Sequence, residues 1–590
     1  MKNYKILWIL FLVGITSLSM GSCSEEFLDQ PALGSLSEDV VANKIGVEKL
    51  LIGAYAALDG QGLGGGNPWE SAADNWIYGA VAGGVASKGS FGGDQPAIDQ
   101  IVKFISNPSN GFYNSKWIAA YEGIVRANNI LNVLPNVEDI SEEDRSNIAG
   151  QARFLRGHYY FELKKMFNMV PWIDENTEDP KQPNDTDIWP NIEADFQFAF
   201  DNLPGTQSEF GRANKWAAGA YLGKTYLYQH KFPEASTVFT QVIESGTNSA
   251  GEKYDLVAQF EDNFDAETEN NAETVFDIQM VANDGTSTIA NSNQGGMLNF
   301  PYNSPFRCCG FYQPTQNLVN SFKTKPNNGL PYLDNYNQEP VKSDMGVDAD
   351  ASFTPYTGPV DPRLDWTVGR RGIPYHDWGN HPGATWIRDQ SYGGPYAPKK
   401  NIYWQATQDL YSDQSSWAPG TALNVRVIRF ADVLLMAAEA EAQTDNLGPA
   451  MQYVNRVRER ASNPQGFLKE YIDENSPLTG FNEAKNAANY NIGLYTASEF
   501  SSKENALDAI YYERKLELAM EGHRFFDLVR WGIAEETLND YFQYQGQLTT
   551  DVRGGRFISG KSEYYPIPQA QIDLSLNNAG EPTLTQNPGY

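Results

Sequence analysis

YYERKLELAMEGHRFFDLVRWG, residues 511–532, is the stretch on which the reading of the whole chain turns. It contains no Pro and consists mostly of good helix formers. With apolar residues at Leu507, Tyr511, Leu518, Phe525 and Val529, it predicts one long helix. Arg514–Glu517, Glu521–Arg524 and Asp527–Arg530 stand three residues apart and can meet along its surface. So many Arg and Glu among Phe, Trp and Leu point to a helix packed on several sides, its charges paired with neighbouring elements. The competing reading is a solvated amphipathic helix.

The segments upstream explain what such a helix packs against. In WAAGAYLGKTYLYQHKFPEASTVFTQVIESG (216–246), Leu222, Gly223, Tyr226, Phe232, Ala235, Phe239 and Val242 keep tetratricopeptide spacing. The small Gly223 and Ala235 let two antiparallel helices approach while aromatic rings fill the gap. ADVLLMAAEAEAQTDNLGPAMQYVNRVRERA (431–461) repeats the idea with Ala437, Ala438, Ala450, Val454 and Val457. Further helices are predicted over Glu38–Leu58, from Lys116 to Pro135, over Ser141–Met169 and over Ile188–Asn202. On the Ser141–Met169 helix, His158 among Tyr and Phe reads as a core histidine. Helix pairs of this kind expose apolar faces unless stacked, so they predict a bundle. The expected fold is mainly α, a tetratricopeptide-like helical bundle (about 38–245 and 425–535) with a loop-rich insertion (about 246–424). The insertion is rich in Pro, Gly, Asn and aromatic residues, and holds Trp366, Trp378, Trp386, Trp404 and Trp417.

The formal net charge of −30 over 590 residues offers no basic stripe to phosphates and excludes a nucleic-acid partner. Lys2 and Lys5, the apolar run from Ile6, and Gly21-Ser22 before Cys23 describe a signal peptide over residues 1–22 rather than a spanning helix. The placement of Cys23 resembles the bacterial lipobox, with Met20 where Leu is commoner. Cleavage before Cys23 and its acylation would give a durable membrane anchor, since each buried methylene adds about 0.8 kcal/mol. The residues that follow, Ser24-Glu25-Glu26, resemble a tag for surface export. Cys308 and Cys309 are adjacent, and two small half-buried residues are expected there in preference to a vicinal disulfide.

Together with 511–532, YYPIPQAQIDLSLN (564–577) and the terminal QNPGY (586–590) complete a signature that resembles the SusD/RagB family of Bacteroidetes outer-membrane nutrient-binding lipoproteins. Gln571 departs from the usual Glu. ADVLL with VNRVR (431–435 and 454–458) resembles a second family pattern. SAADNWIYGAVAGGVASKGSFGGDQP (71–96) resembles a third, although Ala82–Val85 replaces its acidic turn. The resemblance implies one domain over residues 23–590, with the C-terminal signature at 511–590. It also implies a surface-exposed lipoprotein of the outer membrane that captures an oligosaccharide and delivers it to a SusC-like TonB-dependent transporter. Two alternatives stay open: a surface glycoside hydrolase, and a peptide-capturing RagB-like binder.

Motifs for chemistry are few. HExxH, GxSxG and a Walker loop are missing from the sequence, so neither an enzyme nor a cofactor is expected. The formal GxGxxG at Gly60, Gly62 and Gly65 follows a helix and precedes Pro68, which makes it a surface loop. HDWGNH (376–381) and the acidic run Asp262, Asp265, Glu267 and Glu269 also read as loops and not metal sites. For ligand binding, tryptophans outside long helical periods are the candidates, because a ring covers the C–H face of a sugar while neighbouring side chains bind its hydroxyls. Trp76 with Asp74 and Asn75 leads, followed by Trp69, Trp386 with Arg388, and Trp404.

Overall fold

The computed structural model describes residues 38–60, 66–286 and 289–590. Cys23, Gly62 and Gly65 lie outside the described residues. Six helices follow in order: α1 (Lys44–Ala56), α2 (Gly111–Val133), α3 (Glu142–Phe167), α4 (Trp189–Asn202), α5 (Lys215–Tyr228) and α6 (Phe232–Ser245), each packed on the next. The stack then resumes far along the chain. Helix α6 packs on α7 (Phe430–Gln443), which packs on α8 (Leu447–Ala461) and α9 (Lys503–Glu517). The mainly α, tetratricopeptide-like architecture is therefore present, interrupted by a long insertion.

Local chemistry sets these elements. The Ser141 side chain accepts from Asp144 N at 3.1 Å, with acids in the first turn of α3 and Lys164 and Lys165 in its last, as the helix dipole favours. Helix α5 is capped by Asn214, whose Oδ1 accepts from the backbone N–H groups of Trp216 and Ala217. Gly223 acts as expected from sequence: a Cβ there would stand 2.6 Å from the Phe239 ring, so its absence lets α5 and α6 close up. His158 is a buried core residue, its Nδ1 2.6 Å from the Tyr221 hydroxyl.

Residues 511–532 do not form one helix. Helix α9 stops at Glu517, a turn with Met520 (φ 64°) and Gly522 (φ 78°) follows, and α10 (Arg524–Arg530) begins afresh. The break has a steric reason. A Cβ on Gly79 would lie 1.6 Å from the Gly522 carbonyl oxygen, and one on Gly522 would lie 1.9 Å from Asp74 O. Two backbones touch here, and a continuous helix would bring a side chain into that contact.

The charges of the signature also behave differently from a surface ladder. Of the three spaced pairs only Asp527–Arg530 forms, at 2.9 Å. Glu517, fully buried, instead accepts from Arg363 (2.8 Å), Arg429 (2.6 Å) and Arg460. Glu513 takes Arg363 and Arg458, Glu521 takes Lys400 and Arg429, and Arg514 reaches Asp432 and Asp527. Burial opposes ionisation of Glu517, but Arg460, Arg429 and Arg363 outweigh it and hold the carboxyl far below its ordinary range. Glu521 is likewise brought down to about 2 by Arg429 and Lys400 against the cost of its burial.

The insertion is fastened at its base. Strand β2 (Thr274–Ile278), which follows α6 after a loop that includes the turn Phe260–Phe264, pairs antiparallel with β4 (Val425–Arg429), just before α7, with Thr274 opposite Arg429. Strand β1 (Ala86–Gly89) pairs with β3 (Phe311–Pro314) and ties the insertion to the N-terminal half. With few helices of its own, the insertion builds its cores from rings. One core holds Phe300, Phe306, Tyr375, Trp386 and Tyr403, and another holds Phe260, Phe264 and Trp366 with Trp404 against it.

Replacing Glu517 with Gln leaves three buried guanidinium groups short of their shared anion, and the expected loss is about 3–5 kcal/mol at neutral pH. The pH dependence has a definite sign. Depressed carboxyl groups lend stability that is complete above their ordinary value of 4.5 and fades as pH falls toward about 2. Thermal melts from pH 7 to 2 should therefore show a lower melting point for Glu517→Gln at neutral pH and a shallower decline on the acid side.

Candidate functional site

Most of the rings singled out from sequence are core residues. Trp76 is 0 % exposed, its Nε1 donates to Gly295 O at 3.2 Å, and it packs on Phe311 and Tyr312. It opens a π-helical turn (Trp76–Val81) wedged against the Gly522 turn, so no ligand can stack on it. Asn75 is buried too, donating through Nδ2 to Glu162 Oε2 at 2.9 Å. Trp386, 8 % exposed, lies against Phe306, Tyr375 and His381. Trp404 is half-buried between His376 and Phe481. For Trp386 and Trp404 the physical reason is that a loop-rich insertion lacks helical apolar stripes, and its tryptophans supply the core instead. Trp76, outside the insertion, is buried in the main core, where the insertion's Phe311 and Tyr312 cover it. His376 and His381 are buried as well, and burial first, then Lys399 and Arg371, brings the His381 imidazole down to about 3.

Asp74 accepts from the Trp76 N–H at 3.1 Å and lines a cavity of about 80 Å³ with Asn293, Tyr312, Lys400, Asn401 and Glu521. Burial pushes its carboxyl up to about 6, opposed by the Trp76 N–H and Lys116. Such a volume holds a few waters and not a sugar ring.

Exposed rings gather elsewhere, along a strip of linked loops. Phe91 is 38 % exposed, Tyr302 36 % and Trp417 51 %. Arg388 joins the first two, its guanidinium 4.2 Å from the Phe91 ring and 5.0 Å from the Tyr302 ring. Its Nη1 donates to Ser90 Oγ and Asp94 Oδ2, both at 2.9 Å. The turn beneath is held from inside by Lys88, whose Nζ donates to Phe91 O, Asp94 O and Asp99 Oδ2. Thus the Lys88-Gly89-Ser90 motif positions Phe91 and Asp94 from below.

Tyr302 and Arg307 share a loop closed by Gly310 N donating to Phe300 O at 2.8 Å and anchored by buried Phe306. Within it Cys308 and Cys309 are joined to each other, where the sequence favoured two free residues. Arg307 Nη1 donates to the carbonyls of Gln414 (3.3 Å) and Ser416 (3.2 Å), which docks the loop carrying Trp417. The Trp417 ring meets Trp69 edge-on at 6.0 Å. Trp69 itself is 9 % exposed, on a turn (Pro68–Glu70) held by Ser115 and Asn67 through the Glu70 carboxylate. Of the sequence candidates, Arg388 lies on the strip and Trp69 supports it. Phe91, Tyr302, Arg307 and Trp417 were missed. The signal for Trp417 was its setting, Ser-Ser-Trp-Ala-Pro-Gly, which offers the ring no large apolar neighbour in sequence.

Comparison with known proteins accords with this architecture. The family model described as the SusD family matches residues 272–590, and one described as starch-binding associating with outer membrane matches residues 63–227. A SusD-like protein of Bacteroides ovatus is 23 % identical, the match covering 98 % of this chain and 96 % of that one. Among solved structures, surface glycan-binding protein A from Bacteroides thetaiotaomicron in complex with laminarihexaose is similar in fold (TM-score 0.62, 20 % identity, 92 % of this chain and 99 % of that one). A laminarin binding SusD-like protein is similar too (TM-score 0.62, 23 % identity, 93 % and 100 %). With more than half its length under the first of those family models and the helical stack to match, this chain belongs to the SusD family.

Proposed function

We propose that this chain is a binder of oligosaccharides, held at the outer membrane through Cys23 and delivering its ligand to a SusC-like TonB-dependent transporter. The observation that carries the reading is the strip itself. Phe91 from the N-terminal half and Tyr302 and Trp417 from the insertion come from three separate loops and stay exposed, although the insertion's other large rings are mostly buried. Exposed rings of this size are costly unless something covers them, and the flat C–H face of a sugar is a suitable cover. The acids along the strip are engaged in structure: Asp94 with Ser90 and Arg388, Asp389 with Ser391 and Tyr392 N, Asp413 with Ser415 N. This supports binding over hydrolysis. Names borne by relatives, a laminarin binding protein and a surface glycan-binding protein, point the same way.

Electrophoresis through gels containing candidate glycans tests the proposal, with reducing ends assayed in parallel. Retardation without new ends is the expected result; new ends would make the protein a hydrolase. Trp417→Ala should weaken binding by about 1–3 kcal/mol, by analogy with stacking on bases, and leave the melt nearly unchanged. Trp76→Ala should do the reverse first, lowering stability by about 3–5 kcal/mol because it empties a core site. Cys23→Ala should release the protein from membranes or leave it unprocessed, as read by fractionation and surface labelling; unchanged retention would count against the anchor.

A further inference from the structure

We infer that the strip selects anionic oligosaccharides, carrying carboxylate or sulfate groups, and that Arg307 reads the charge. The inference rests on the binding reading above and names the ligand class for the same site. It starts from Arg307, which forms no ion pair among the described residues although the chain holds 74 acidic against 44 basic residues. It is exposed, and its bonds among the described residues go to two backbone carbonyls through Nη1, leaving Nε and Nη2 without a partner there. The guanidinium is thus fixed along one edge and free along the other, the arrangement that receives a planar carboxylate or a sulfate through two parallel bonds.

The backbone supports the same reading independently. Arg307 has φ 74°, a left-handed conformation that few residues other than Gly adopt, and its N–H is spent on Ser304 O. Strain of this kind persists where the surroundings enforce it, and it gathers at ligand sites. Here it sets the root of Arg307 between Tyr302 and the Trp417 loop. Local acids do not pair with it: Asp94 is ion-paired with Arg388, and the carboxylates of Asp413 and Glu70, which keep their charge, accept from Ser415 N and from Asn67 and Ser115. The net charge of −30 acts against an anionic polymer at long range. At physiological salt, however, it is screened beyond about 8 Å, so groups touching the ligand decide.

The test uses three polymers: a polygalacturonate, a sulfated glucan and a neutral β-glucan, each titrated against the full chain in rising NaCl. Retention of the uronate or the sulfated glucan above the neutral glucan, weakening with salt, is the expected result, and which of the two is held tells carboxylate from sulfate. Arg307→Gln should then bind the retained anion about tenfold more weakly, with Arg307→Lys in between, while both variants hold the neutral glucan as wild type does, which mere undocking of the Trp417 loop would not allow. Preference for the neutral glucan, or an Arg307→Gln variant that binds like wild type, overturns the inference and leaves the binding reading standing. Failure of all three polymers to bind overturns both.

Discussion

Glu517 sits where three parts of the chain meet. Its carboxylate is shared by Arg460 of α8, Arg429 at the end of β4 and Arg363 of the insertion, while Glu273, Glu513 and Glu521 extend the same lattice. Burying so many ions costs several kcal/mol each, recovered only when the geometry leaves none unpaired. A lattice of this sort adds little net stability and much discrimination, because an incorrectly docked insertion would strand charges in a dry interior. The same ions join helices of the stack, Arg458 and Arg460 of α8 to Glu513 and Glu517 of α9 and Asp432 of α7 to Arg514 of α9, and Arg363 brings the insertion onto them.

The sequence revealed the stack because helix packing leaves periodic marks. Small residues such as Gly223 and Ala235 stand where helices must approach, and caps such as Ser141 stand where they begin. It also revealed that the charges of 511–532 were paired across elements. It misread their geometry, taking one helix where two meet at Gly522, since the break is imposed by a contact with residues 74–79, far away in sequence. Local pattern carries no record of such a partner.

The site was less legible for a related reason. Trp76 and Trp417 look alike as letters, each preceded by two polar residues and outside a long helical period, yet one is enclosed by Phe311 and Tyr312 and the other stands out from Trp69. In a helix, periodicity says which face a ring takes. In a loop, only the tertiary neighbours do. Arg388 was recognisable from its position beside Trp386, but it is the arginine and not the tryptophan that reaches the surface.

The paired strands at the base of the insertion have a wider consequence. Thr274 and Arg429 face each other, so the chain passes out to most of the insertion and back through one doorway. The segment between is held to the frame by defined ties, β3 on β1, Arg363 to Glu517 and Lys400 to Glu521 among them. The remaining loops, including those bearing Tyr302 and Trp417, are free to drift in length and content, since lengthening a surface loop adds little closure entropy. A lineage can therefore rewrite what the surface recognises while the frame that carries it, and the door in that frame, stay the same.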